Sequence, residues 1–300
     1  MRKRKIFLLV IIILLFLIGC KKNEGQPEIK SKDKAPDSLK ELSIGITDIL
    51  NSIGDIERLT LNIPLAENKD NKAKQQGQSE EPKQEQNTSQ TQSSSESQSS
   101  GGQGQQSGGQ QETKPEDPKK AEIEKREKEI KSSWENIEKK LEEIHPQWNS
   151  FEVDGLKKGI TKEAMDKFET AFNKMTKSIE AKNIIEIYDY ASQSFMNLKP
   201  IFDLYLDEIG GDISVIKHAA YQGYIKALQG DIEGAKNALN NKEENINKIR
   251  LKMTKDEDKD AIEKISLSLA DFRESLPEES RRLFMIKKDI IIENLKAIEK

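Results

Sequence analysis

Residues 161–180 of the chain read TKEAMDKFETAFNKMTKSIE, and this stretch indicates the fold class most clearly. Its large apolar residues recur at intervals of three and four, which places them on one face of an α-helix. The residues on that face are Met165, Phe168, Phe172, Met175 and Ile179. Thr161 precedes the stretch in the position of an N-cap. The pattern predicts an amphipathic helix with one face in a helical core.

The same helical periodicity continues through residues 123–300, which contain 70 apolar residues of 178. We therefore predict an all-α domain, an antiparallel bundle or array of about seven helices joined by short loops. A heptad-like stripe predicts a first helix from Ile123 that ends at Pro146, followed by a loop over residues 147–160. The remaining predicted helices begin at Thr161, Ile184, Ile213, Asp231, Asp256 and Pro277. Pro200 is expected to kink or break the helix that begins at Ile184, and Gly210-Gly211-Asp212 to cap the next one.

Two further segments precede this domain. Residues 36–64 carry apolar side chains at helical spacing from Leu39 to Leu59 and predict a lone amphipathic helix that needs a surface to pack against. Residues 65–122 predict a disordered linker rich in Gln, Ser and Gly. From Ala66 to Glu122 only 3 of 57 residues are apolar, too few to offset the entropy of ordering the chain.

The N-terminus has the order of a secretory signal. A basic run from Arg2 to Lys5 precedes 13 apolar residues, which are fewer than the roughly 20 needed to span a bilayer. Leu17-Ile18-Gly19-Cys20 resembles the lipobox of bacterial lipoproteins, and this resemblance implies that residues 1–19 are removed and Cys20 is lipidated. Residues 20–35 would then form a polar tether. The alternative is an uncleaved membrane anchor, and both interpretations place the domain outside the cytoplasm.

Composition excludes several classes of function. One Cys and two His cannot form a disulfide framework, a Cys-rich metal site or a three-His site. Removal of residues 1–19 takes away four positive charges, so the net charge moves from −4 to −8, which disfavours binding to nucleic acid. We find no nucleophile–base set and no phosphate loop. We therefore predict no catalysis, no cofactor and no resident metal.

Three short motifs have an ordinary structural interpretation. Glu142-Glu143-Ile144-His145 contains one Glu-x-x-His, but a di-iron bundle needs two. Asp256-Glu257-Asp258-Lys259-Asp260 begins like a calcium loop and lacks its Gly and its final Glu. Residues 223–239 resemble part of a tetratricopeptide repeat, with no second copy 34 residues away. That resemblance implies a helical hairpin, and protein binding if the repeat is real.

Aromatic residues supply the candidate binding site. All five Tyr lie within one 37-residue window, together with two Phe that share a helix face with Tyr188. They form either the core of two helices or an aromatic pocket. Trp148 is either a plug at the end of the bundle or a binding residue. The candidate binding residues are Trp148, Tyr188, Phe195, Phe202, Tyr205, Tyr221 and Tyr224.

The stretch from His145 to Phe168 is also similar to uncharacterised helical lipoproteins of low-GC Gram-positive bacteria. This resemblance implies a helical fold and a location outside the cytoplasm. We predict a lipid-anchored extracytoplasmic protein that binds a protein or envelope macromolecule or has a structural role. The alternative is a small-molecule binding or sensing lipoprotein, with the aromatic pocket between the predicted third and fourth helices of the domain.

Overall fold

The computed structural model describes residues 34–61, 118–205 and 209–299. The predicted signal peptide, almost all of the tether and nearly the whole linker lie outside the described residues. Within these ranges the all-α prediction is confirmed, because the chain forms nine α-helices and no strand. The helices are α1 (Asp37–Thr60), α2 (Pro118–Lys158), α3 (Lys162–Glu180), α4 (Ile184–Phe202), α5 (Gly210–Leu228), α6 (Ile232–Leu239), α7 (Glu243–Lys252), α8 (Asp256–Ser275) and α9 (Arg281–Ile298).

The described residues belong to two compact units. The larger unit contains residues 34–50 and 140–299, and the smaller one contains residues 51–61 and 118–139. In the smaller unit, Ile53, Ile56, Trp134 and Ile137 are buried. Ion pairs between residues four apart, such as Arg126 with Glu122, run along its exposed helical surface.

The prediction that the first helix of the domain ends at Pro146 is wrong. The helix α2 continues through that exposed proline to Lys158. Beyond the proline, Trp148 and Phe151 extend the buried stripe that contains Ile144. Burial of two large aromatic side chains offsets the roughly 3 kcal/mol that a proline costs inside a helix. The segment 147–158 is therefore helical, and only residues 159–161 separate α2 from α3.

Three other boundaries differ from the prediction. The predicted fifth helix is divided into α6 and α7, because Asn241 has a φ of 58° and ends the helical run. Asp212 does not cap α5; it accepts a hydrogen bond from the Asn245 side chain at 2.9 Å. Pro277 lies in a 3₁₀ turn rather than at the start of α9, which is capped by Ser280.

The larger unit contains a helical turn that occurs three times. In each turn a residue with positive φ is followed by an N-cap whose side chain accepts a hydrogen bond from the backbone N–H three residues later. The pairs are Lys182-Asn183, Gly230-Asp231 and Glu279-Ser280, so the caps are 48 and 49 residues apart. A repeated hairpin is thus present in the structure at a period longer than that of a tetratricopeptide repeat.

Side-chain contacts repeat at the same interval. The Asn197 amide donates to the carbonyl of Lys167 at 3.0 Å, and the Asn294 amide donates to the carbonyl of Lys264 at 3.1 Å. Both members of the second pair lie 97 residues after those of the first, which equals the spacing between the caps Asn183 and Ser280. The hairpins α3–α4 and α8–α9 are therefore built on one pattern.

These hairpins give the larger unit two distinct edges. The turn edge contains the three repeated turns, and the entry edge is where α3, α5 and α8 begin and where α4 and α9 end. The first residues of α1 also lie at the entry edge. There Lys40 and Ile44 line a cavity of about 40 Å³ together with Phe202, Gly210 and Ile298.

The segment 37–50 of α1 is isolated along the sequence but packed in space. Leu39, Leu42, Ile46 and Ile49 are fully buried within the larger unit. Gly45 lies against the side chain of Ile144, where any larger residue would clash. A glycine that weakens the helix on its own thus allows α1 to approach α2 closely.

Candidate functional site

Three of the predicted aromatic residues meet in one cluster. Tyr188 of α4 lies 5.6 Å from both Tyr221 and Tyr224 of α5, measured between ring centroids. The first pair is stacked and the second is edge-on. Phe195 extends the cluster at 6.2 Å from Tyr221. All four side chains are fully buried.

The ammonium group of Lys288 on α9 occupies the centre of the three tyrosines. Its Nζ lies 5.0, 5.4 and 5.1 Å from the ring centroids of Tyr188, Tyr221 and Tyr224. The carboxylate of Asp289 lies 2.8 Å from the same nitrogen. We call Lys288, Asp289 and the three tyrosines the tyrosine cage. Because Lys288 is only 2% exposed, the cage holds a desolvated cation.

Sequence reasoning missed Lys288, although the sequence contains a signal for it. On α9 the buried apolar residues are Phe284, Met285, Ile291, Ile292, Leu295 and Ile298. Position 288 is four residues after Phe284 and three before Ile291, so it falls on the buried face. A lysine at a core position of an amphipathic helix needs buried partners.

The cage stabilises positive charge through ring faces and one carboxylate. Contacts of this kind contribute about 0.5–2 kcal/mol each, and more when water is excluded. The Tyr221 hydroxyl has no hydrogen-bond partner among the described residues. Burial raises the pKa of that hydroxyl well above its ordinary value, and the nearby carboxylate of Asp289 adds to the effect. Tyr221 therefore stays neutral and contributes its ring face.

A second buried lysine lies at the interface of α1, α5 and the residue that follows α9. Lys217 Nζ donates to both carboxylate oxygens of Glu299, at 2.6 and 2.8 Å, and to Thr47 Oγ1 at 2.8 Å. The Ser43 hydroxyl donates to the same carboxylate at 3.0 Å. We call this set the lysine clamp. It connects chain segments that are 170 and 82 residues apart.

The lysine of the lysine clamp is fully buried. Lys217 is 0% exposed, and its Nζ also lies 5.0 Å from the ring of Phe195, which belongs to the aromatic cluster. Burial lowers the pKa of Lys217, while the charge of Glu299 opposes that change. The ion pair with Glu299 thus keeps a cation in the core despite its desolvation.

The remaining predicted residues lie elsewhere. Tyr205 is at the entry edge, where Lys158 Nζ lies 5.4 Å from its ring, and Phe202 lines the small cavity there. Trp148 is on α2, with its ring 4.3 Å from Phe168. Its indole nitrogen has no partner among the described residues. The seven candidates therefore form no single site.

The two histidines have local structural contacts. His145 Nε2 lies 3.1 Å from the Thr176 hydroxyl, and its ring lies 4.4 Å from Phe172. His218 Nδ1 lies 3.0 Å from the carbonyl of Ser192. Burial lowers the pKa of both rings. Within the described residues no group of three or more metal-binding side chains is found.

An open groove of about 450 Å³ lies on the surface between α3 and α4. Its walls carry ion pairs, with Lys162 at 2.7 Å from Asp166 and Lys167 at 2.7 Å from Glu163. Polar and small side chains complete the lining, namely Thr170, Ala171, Lys174, Gln193 and Asn197. We call this feature the α3–α4 groove. It is polar and carries both signs of charge.

In comparisons with known proteins, no family model, curated protein or solved structure matches this chain. Its sites are therefore interpreted from their own geometry.

Replacement of Lys288 by alanine should destabilise the domain by about 2–4 kcal/mol, because a cavity opens and the cage loses its cation. Addition of propylammonium should restore part of the lost melting temperature, whereas propanol should not. Thermal unfolding followed by circular dichroism measures both effects. Lys296→Ala removes an exposed lysine from the same helix and serves as the control. Equal rescue by the amine and the alcohol would show that the cage does not select a cation.

Replacement of Glu299 by glutamine should lower the free energy of unfolding by about 3 kcal/mol, because Lys217 stays buried without its counter-charge. Glu293→Gln removes an exposed carboxylate from α9 and should change stability by less than about 0.5 kcal/mol. In the Lys217→Met background the Glu299 substitution should cost much less. Urea unfolding of the parent chain, Glu299→Gln, Lys217→Met and the double variant measures this coupling. Purely additive losses of stability would contradict it.

Proposed function

We propose that this chain is a lipid-anchored extracytoplasmic protein whose helical domain binds a protein or another macromolecule of the cell envelope, or holds one in place. The observation that carries the binding role is the α3–α4 groove, which is open, polar and charged with both signs. The anchoring role rests on the sequence of the first 20 residues. The two parts of the proposal have separate tests.

Anchoring through Cys20 is supported by the lipobox and by the position of the only Cys in the chain. No helix among the described residues is long and apolar enough to cross a membrane. Several acyl chains on one cysteine would hold the protein firmly at the membrane, since each buried CH₂ contributes about 0.8 kcal/mol. The membrane is thus the first proposed partner.

Binding of a macromolecule is supported by the hairpin array. Repeated helical hairpins create extended surfaces that contact a partner over many side chains. In the α3–α4 groove the exposed walls offer ammonium, carboxylate and amide groups on two rigid helices. A polypeptide with alternating charges and free backbone groups complements such a surface better than an apolar small molecule does.

A small-molecule function receives less support. The tyrosines that suggest an aromatic pocket are buried, and Lys288 occupies their centre. A cationic ligand would have to displace that ammonium group from the cage. The absence of catalysis and of a cofactor stays a prediction from the sequence.

Replacement of Cys20 by serine should abolish incorporation of an alkyne-labelled fatty acid and leave the signal sequence uncleaved, because cleavage before Cys20 follows its lipidation. Incorporation is lost because no other residue of the chain offers a thiol for lipidation. In-gel fluorescence and gel mobility of the protein from cells that express each form provide the measurements. A parent protein that takes up no labelled fatty acid and keeps its signal sequence would instead support the uncleaved anchor.

A photo-crosslinking residue at exposed Thr170 in the α3–α4 groove should capture one discrete envelope component in intact cells. The same residue at Glu274, which is also exposed but lies on α8, should not capture that component. Immunoblots and mass spectrometry of crosslinked species give the readout. Identical products from both positions, or none from Thr170, would remove the groove from the proposal.

A further inference from the structure

The entry edge of the hairpin array carries exposed apolar side chains. Val153 and Leu156 on the last turns of α2 are 55% and 53% exposed, and Leu204, just after α4, is 41% exposed. Leu251 near the end of α7 is 80% exposed. Four of the nine large apolar residues that are exposed in the described part of the chain lie here. Clustering at one edge distinguishes them from scattered surface residues.

Contacts of neighbouring residues place these four residues at the same edge. Gly155 on α2 adjoins Ile160, which leads into α3, through a backbone hydrogen bond of 3.0 Å. Lys158 contacts the ring of Tyr205, next to Leu204. Lys252, next to Leu251, lies 3.9 Å from Asp212 in the first turn of α5. The ends of α2 and α7 thus meet the start of α5 and the end of α4.

The chain reaches the N-terminal end of α1 at this same edge. Lys40 and Ile44 of α1 line the entry-edge cavity, so Asp37 lies close to it. Only 16 residues separate Cys20 from Asp37, and even a fully extended chain of that length spans no more than about 60 Å. A lipid on Cys20 would therefore tether the chain to the bilayer at the entry edge, where α1 begins.

We propose that the entry edge docks on the lipid bilayer, with Val153, Leu156, Leu204 and Leu251 inserted at the headgroup boundary. This inference rests on the proposed lipid anchor, which supplies a high local concentration of membrane and lets weak apolar contacts suffice. Lys157 and Lys158 beside Leu156 have long side chains that can extend to the phosphates. Paired acids such as Asp154 balance part of their charge, so apolar insertion dominates over electrostatic attraction.

Co-sedimentation with lipid vesicles tests the docking without the lipid anchor. The probe is the chain from residue 20 onward with Cys20→Ser, mixed with vesicles of equal parts phosphatidylcholine and phosphatidylglycerol. The double variant Val153→Glu/Leu156→Glu should need at least about tenfold more lipid for half-maximal binding. Leu267→Glu/Ile290→Glu adds the same charge at exposed apolar positions away from the edge and should stay within about twofold of the parent chain.

Three results would overturn the proposal: no vesicle binding by the parent chain, equal loss in the two double variants, or an edge variant that only converts a dimer into a monomer in analytical ultracentrifugation. The last would assign the edge to a second copy of the chain. If circular dichroism shows a folding defect in the edge variant, Val153→Ser/Leu156→Ser replaces it. The vesicle test uses a chain without a lipid, and the labelling test of Cys20 is a separate experiment. If the chain binds vesicles but Cys20 is not lipidated in cells, the docking proposal stands and the anchoring proposal fails.

Discussion

The larger unit depends on a buried cation, the ammonium group of Lys217. Nothing local in the sequence brings α1 to α5, since 170 residues separate Thr47 from Lys217. Apolar burial along α1 favours docking in general, but several helix faces could offer an apolar surface. An unpaired lysine in the core costs several kcal/mol, so α1 and Glu299 are favoured in the register that satisfies it. The lysine clamp therefore selects one position for the N-terminal helix and the C-terminal end together.

The tyrosine cage extends the same principle to α9. Lys288 and Lys217 lie on different helices, yet the stacked rings of Phe195 and Tyr221 separate their ammonium groups and contact one each. Three ring faces surround Lys288, whereas Lys217 contacts one ring in addition to its bonds to Glu299 and Thr47, and such faces accept positive charge at low cost in desolvated surroundings. Two buried cations thus explain why so many aromatic side chains lie between α4 and α5. The same feature in the sequence suggested a ligand pocket, because ring faces are equally suited to an external cation.

Helical periodicity in the sequence was sufficient for the fold class and for α8, whose start at Asp256 matches the prediction. It failed where tertiary packing outweighs a local preference, as at Pro146, whose cost is offset by Trp148 and Phe151. The candidate site was predicted only in part. Tyr188, Tyr221 and Tyr224 do meet, but pattern reasoning follows one helix at a time and cannot pair Lys288 with rings 64 to 100 residues earlier. Turns at Lys182-Asn183 and Gly230-Asp231 were predicted, but their repetition was missed because the caps are Asn, Asp and Ser, three residue types with one shared hydrogen-bonding role.

The hairpins determine the edge of the larger unit at which α1 begins. The hairpins α3–α4 and α8–α9 return the chain to the entry edge, whereas α6 ends near the turn edge, where Arg273 of α8 donates to the Asn240 side chain at 3.3 Å. The lysine clamp fixes α1 parallel to α5, so the segment that precedes α1 also leaves at the entry edge. With the proposed anchor at Cys20 and the proposed docking of the entry edge, the helices would stand away from the membrane with the turn edge outermost. The α3–α4 groove runs along the helices between these two edges, so in that proposed arrangement it would stay open to a partner approaching from outside.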